Sequence, residues 1–204
     1  MLFQFLDKKN ACEGIYVDRS IHKEYNLDGL TSTWEYHPKL NGKTDLEIAN
    51  LYVQGRSLEE VCPENLKENF SELKNKFKSY KKTFKTSKIN MENFCLYNLI
   101  PENYLYNYLN LKNEITEFVL LNNNRPNNYN FLYDFIILNS KIEENKIILD
   151  LSQLKDDQVL KEKFKRINPR ISYNVFGTKT GRLTCKKGTF PILTLKKELR
   201  KIIK

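Results

Sequence analysis

Hydrophobic and polar residues change rhythm several times along this chain, and each change marks an element. At the start they alternate. L-F-Q-F-L-D (2–7) and G-I-Y-V-D (14–18) each read as a short strand, joined by the polar turn K-K-N-A-C-E, and a third short strand is predicted around Ile21–Tyr25. An irregular stretch, 29–43, holds the single tryptophan, Trp34. The pattern then predicts a short helix over Asp45–Val53, ending before Gly55, and a further helical turn at S-L-E-E-V-C-P.

From Pro63 to about Ser87 the period lengthens. Leu66, Phe70, Leu73, Phe77, Tyr80 and Phe84 recur at alternating spacings of 4 and 3, which is one apolar stripe of an amphipathic helix. Pro63 suits the first helical position. Glu64, Glu68 and Glu72 occupy the early turns and Lys81, Lys82, Lys85 and Lys88 the late ones, a polarity that opposes the helix dipole. Fewer than four heptads and large aromatics favour packing within the domain over a coiled-coil seam.

A second helix is predicted from Pro101-Glu102, carrying Leu105, Tyr108, Leu109, Ile115, Phe118 and Val119, and ended by the Asn-rich loop L-N-N-N-R-P-N-N. A third, Tyr129–Ser140, is apolar over so much of its surface that it is expected to be buried. K-I-I-L-D-L reads as a strand. A charged helix near Leu154–Ile167 ends before Asn168-Pro169, because a residue preceding proline disfavours helix. R-I-S-Y-N-V-F then reads as a strand. The fold class is α+β and mostly helical. The loop around 122–128 is the nearest thing to a boundary.

Composition adds a partner class. With 40% hydrophobic residues a packed core forms, and no apolar run is long enough to span a membrane. Net charge is +9, unevenly spread: Leu160–Lys204 holds fourteen Lys and Arg against Glu162 and Glu198, leaving the first 159 residues at −3. A basic end on a near-neutral body points to a polyanion, or to a solvated lysine-rich face. The four cysteines, at 12, 62, 95 and 185, form no C-x-x-C pair, and with two histidines a zinc site has poor material; reduced thiols packed as small hydrophobes are expected.

The basic end contains N-V-F-G-T-K-T-G-R-L-T, 174–184. Glycines at 177 and 181 permit positive φ and close backbone approach. Threonine hydroxyls bond phosphate oxygens, and Lys179 and Arg182 supply charge. Arginine also presents a planar fork of donors that reaches a base edge. With Lys186, Lys187, Lys196, Lys197, Arg200, Lys201 and Lys204 downstream, the segment reads as a surface that tracks a phosphate backbone. It is not a phosphate-binding P-loop, because its glycines are too close and Arg-Leu follows the second. A tight turn in a basic hairpin is the simpler alternative.

R-I-S-Y-N-V-F-G-T-K-T-G-R-L-T resembles the segment preceding the first catalytic motif of family A DNA polymerases, the DNA polymerase I family, in its bacteriophage version. Tyr173, Asn174, Thr178, Thr180, Gly181, Arg182, Leu183 and Thr184 match that pattern. F-P-I-L-T-L-K-K-E-L-R-K-I-I resembles the stretch leading to the metal-binding strand. The resemblance is strong over about 35 residues and looser over the helices before them. The family's P-N-L-Q-N-I-P is replaced here by K-K-G-T-F-P-I-L-T-L, Lys186–Leu195, so its Gln and Asn contacts do not carry over.

The resemblance implies a small β-containing element at 1–60, in the place of a degenerate or absent exonuclease, thumb-like helices at 61–155, and the first strands of a polymerase palm at 156–204. It implies that Arg182 meets the primer-terminal base pair from the minor groove, with Asn174, Thr178 and Thr180 lining the duplex. Lys179, Gly181, Thr184, Lys186, Lys187 and Arg200 complete the expected DNA-binding set. The catalytic carboxylates and their two Mg²⁺ ions lie beyond the matched stretch, so this chain alone is expected neither to polymerise nor to hold metal. A second polypeptide carrying catalytic palm and fingers is the implied partner beside primer–template DNA, and the cytoplasm of an infected bacterium the implied location. Asp7-Lys8-Lys9 lacks the second carboxylate of an exonuclease, so Asp7 and Asp18 read as turn residues, and His22 and His37 as ordinary surface or core side chains. A stand-alone nucleic-acid-binding protein and a non-functional remnant are the alternatives.

Overall fold

The structure is a computed structural model describing residues 2–7, 12–40, 47–91, 93–154, 157–178, 180 and 182–204. It is α+β, with roughly half the chain helical and three small sheets. The chain divides into two compact units, Met1–Asn130 and Phe131–Lys204, a boundary that falls just past the Asn-rich loop.

The first unit opens with an antiparallel sheet of β1 (Phe3–Phe5), β2 (Ile15–Val17) and β3 (Ser20–His22). Val17 pairs with Ser20, so Asp18 and Arg19 form a two-residue hairpin turn, both at positive φ (49° and 58°). That geometry matches the right-handed twist of the strands. Asp18 is therefore a turn residue. Asp7 is not only that: its carboxylate accepts a hydrogen bond from the Leu96 amide at 2.9 Å.

The helix predicted over Asp45–Val53 forms over part of its length, and residues 45 and 46 lie outside the described residues. Glu47–Ile48 is instead a strand, β5, paired in parallel with β4 (Ser32–Thr33), and only Ala49–Tyr52 is helical (α1). Ile48 is fully buried, and its pairing opposite Thr33 outweighs local helix propensity there. α2 (Leu58–Val61) is held by a capping box in which Ser57 and Glu60 satisfy each other's backbone amides.

α3 (Glu64–Thr86) and α4 (Glu102–Asn122) form the helical body of this unit. Pro63 caps α3 from one position outside it rather than occupying its first turn. The α3 stripe packs as an aromatic ladder on α4: Phe77 lies parallel to Tyr108 at 5.3 Å, and Tyr80 meets Tyr104 edge-on at 5.1 Å. The Tyr104 hydroxyl donates to the Leu73 carbonyl at 2.7 Å, so the ladder closes without a stranded polar group. On α4 the expected face is rotated. Phe118 is exposed, while Asn113 and Thr116 are buried. These two satisfy themselves within their own helix, Asn113 on Glu117 and Thr116 on the Lys112 carbonyl, which makes their burial tolerable.

In the second unit, α5 (Tyr129–Glu144) begins at the boundary. Its expected burial is not met: Phe131 is 67% and Leu138 53% exposed, whereas Asn139 is buried. The core of this unit is built without it, from Leu154, Phe164, Phe190, Leu195 and Ile202 with flanking Ile147, Leu149, Ile171 and Ile203. α6 (Gln158–Arg166) is capped by the Asp157 carboxylate, which accepts from the Leu160 amide. K-I-I-L-D-L is not a regular strand. It makes single antiparallel bridges, Lys146 with Arg170 and Leu149 with Ile203. Residues 197–202 form a 3-10 helix whose Ile202 is fully buried, and the Lys204 amide donates to the Ile148 carbonyl.

Candidate nucleic-acid interface

The glycine-containing motif is a hairpin. β6 (Tyr173–Asn174) pairs antiparallel with β7 (Thr184–Cys185), Tyr173 opposite Cys185 and Asn174 opposite Thr184. Residues 175–183 form the connection. The pair is anchored beneath by polar contacts. Ser172, buried, donates its hydroxyl to the Glu143 carboxylate at 2.8 Å. The Arg170 guanidinium donates to the carbonyls of Glu143 and Glu144 at 3.0 and 2.6 Å, capping the last turn of α5 with positive charge. The Lys186 and Phe190 amides donate to the carbonyls of Ser172 and Arg170, both at 2.8 Å.

Within the loop, three predicted residues hold the fold of the hairpin itself. The Asn174 carboxamide oxygen accepts from the Phe176 amide at 3.2 Å, a side-chain-closed turn. The Thr178 hydroxyl accepts from the Arg182 amide at 2.8 Å and donates to the Arg182 carbonyl at 3.0 Å. Gly177 lies against Thr184 and Asn174 so closely that a Cβ would collide with the Thr184 hydroxyl and sit 3.2 Å from Asn174 Cβ. Thr178 and Asn174 thus have internal work: the Thr178 hydroxyl and the Asn174 carboxamide oxygen are engaged before any ligand arrives.

Arg182 differs. Its backbone is pinned by Thr178 while its side chain is exposed, and among the described residues no acid pairs with it. Thr180, Lys186 and Lys187 are also exposed, and Thr184 is half-buried beneath the loop. Lys179 and Gly181 lie outside the described residues. Arg200 stands apart from the hairpin, on the 197–202 helix, and its Nε donates to the Leu195 carbonyl at 3.2 Å. It serves that turn as well as presenting charge.

Charge divides at the unit boundary. Met1–Asn130 carries equal numbers of acids and bases, so the second unit bears the entire net +9. Little of it is neutralised locally: Lys165 pairs with Glu162 at 2.7 Å and Lys204 with Asp150 at 3.1 Å, while Arg182, Lys186, Lys187, Lys196, Lys197 and Lys201 pair with no acid among the described residues. Glu143, the acid nearest the hairpin base, is committed to Ser172. Sequence reading counted Arg170 as one more cation and missed its structural role, whose signal was its place just after the Asn168-Pro169 break. No protein-family model, curated protein or solved structure matches the chain. No helix among the described residues is long and apolar enough to cross a membrane.

Proposed function

We propose that this chain grips duplex DNA through the second unit, as part of a family A polymerase-like assembly acting on a primer–template. The observation that carries the reading is Arg182: a cation fixed at the backbone, exposed at the side chain, and free of acid partners among the described residues. The held backbone sets where the side chain leaves the loop, and the guanidinium fork reaches a base edge from the groove. Lys186 and Lys187 at the exit of the hairpin supply sequence-independent phosphate attraction. Asn174, Thr178 and Gly177 act as positioning residues that shape the loop. Lys179, Gly181 and Thr180 belong to the same proposed face by sequence. Among the described residues the one cluster of three potential metal ligands is Asp7, Cys12 and Cys95, with two thiols, in the first unit. No catalytic step is assigned to this chain.

One feature favours the second reading, a stand-alone nucleic-acid-binding protein. Ile203 and Lys204 pair with Ile148–Leu149, so that edge is occupied within the unit rather than held open for a catalytic strand. The two readings separate in one fluorescence-anisotropy experiment at low salt, comparing a recessed-3′-end primer–template with a blunt duplex of equal length. Preference for the recessed end, lost in Arg182→Ala, is the polymerase-like result. Equal affinity for both supports the stand-alone binder. Arg182→Ala is expected to weaken binding by about 1–3 kcal/mol, roughly five- to 150-fold, with an unchanged circular-dichroism spectrum. Undiminished affinity in that variant removes Arg182 from the interface.

A further inference from the structure

Cysteines 83 positions apart meet in the first unit. Cys12, just before β2, and Cys95, just before a 3-10 turn at Leu96–Asn98, are both buried, at 0% and 2% exposure. The half-buried Asp7 carboxylate joins them, and the two sulfurs and a carboxylate oxygen all lie within 4.8 Å of one another. The Cys12 thiol donates to the Gly14 carbonyl at 3.5 Å, and the Asp7 carboxylate accepts from the Leu96 amide at 2.9 Å. Gly14 makes the approach sterically feasible, since a Cβ there would lie 2.6 Å from Leu6 Cδ2 and 3.0 Å from Tyr97 Cβ.

We propose that Asp7, Cys12 and Cys95 form a binding site for a zinc-class divalent cation. Two thiolates and a carboxylate suit a borderline-soft ion of tetrahedral preference, with one position left for water or a further ligand. Zinc–sulfur bonds of about 2.3 Å at tetrahedral angles put sulfurs roughly 3.8 Å apart, so loading requires contraction of about 1 Å or less. The Leu96 amide on the Asp7 carboxylate is the outer support that a ligating carboxylate requires. Loading displaces the thiol protons and leaves three negative ligands. The Lys39 ammonium, which donates to the Cys12 carbonyl, lies beside them as a partial counter-charge. The bound ion would tie the β1–β2 connection to the segment between α3 and α4, joining elements distant in sequence. This site is independent of the hairpin and of the DNA-binding reading.

The test is titration of the full chain, reduced and chelator-treated, with Co²⁺. The expected result is saturation at one equivalent with thiolate-to-cobalt charge transfer and the intense visible bands of tetrahedral cobalt, both bleached by Zn²⁺. Cys12→Ser and Cys95→Ser each abolish or halve the charge-transfer band, Asp7→Asn lowers affinity at least tenfold, and the double variant Cys62→Ser/Cys185→Ser retains the wild-type spectrum. Circular dichroism on every variant separates loss of site from loss of fold. As a second check, Zn²⁺ raises the thermal midpoint of wild type more than that of a folded Asp7→Asn chain at the same concentration. Absence of the bands in folded, reduced wild-type protein overturns the proposal. So does a band undiminished in both single-cysteine variants, or a Cys12–Cys95 disulfide that persists under reductant by mass spectrometry.

Discussion

Two buried or tethered side chains show how single residues set conditions on this fold. Gln4, on the middle of β1, is 2% exposed, and neither end of its carboxamide has a hydrogen-bond partner among the described residues. A stranded buried amide costs about 1–3 kcal/mol. Gln4→Leu is therefore expected to raise stability by about 1 kcal/mol or more, measured by denaturant unfolding; a loss would mean that the amide is satisfied in solution. Asp150 behaves oppositely. The Ser152 hydroxyl and then the Lys204 ammonium hold its carboxyl down at about 2, from an ordinary 3.8. A depressed folded pKa gives stabilisation that is complete above pH 3.8 and lost as pH falls through 2. Asp150→Asn should thus lower the thermal midpoint at pH 7, with the gap to wild type closing as the pH approaches 2. A gap independent of pH would show that the carboxylate's charge is irrelevant.

At the scale of elements, legibility followed local completeness. The α3 stripe was readable because one helix face faces one neighbour, and every stripe residue is buried or half-buried. The strands β1 and β2 were readable because alternation is a local signal, whereas β3, expected around Ile21–Tyr25, lies at Ser20–His22 behind a two-residue turn that the pattern did not reveal. The β2–β3 turn is still suboptimal: Arg19 sits at φ 58°, a left-handed conformation costing a side chain roughly 1 kcal/mol relative to glycine. Arg19→Gly should raise the thermal midpoint by several degrees without altering DNA affinity. β5 was misread because its pairing with β4 is a tertiary event. α5 was misread because apolar composition does not specify a partner, and the core of its unit is drawn from residues 147–203 instead. The hairpin was visible from its glycines. The internal duties of Thr178 and Asn174 were not, since a hydroxyl that closes a loop and one that awaits a phosphate look alike in sequence. Least visible was the meeting of Cys12 and Cys95, because chain spacing says nothing about contacts made across 83 positions.

For the whole molecule the governing fact is the partition of charge, with a neutral first unit and all +9 on the second. If cations of the second unit replace condensed counterions on DNA, log affinity falls linearly with log salt. Lys186→Ala/Lys187→Ala should then reduce the slope magnitude by about 2 while weakening recessed and blunt duplexes equally. An unchanged slope would place both lysines off the phosphate path. The outward Phe131 and Leu138 of α5 pull the other way as ionic strength rises, because excluded salts strengthen contacts between water-exposed hydrocarbon. A concentrated sample in sulfate should therefore drift toward self-association under the same conditions that strip it from nucleic acid. Light scattering recorded alongside each titration would keep precipitation from passing as release.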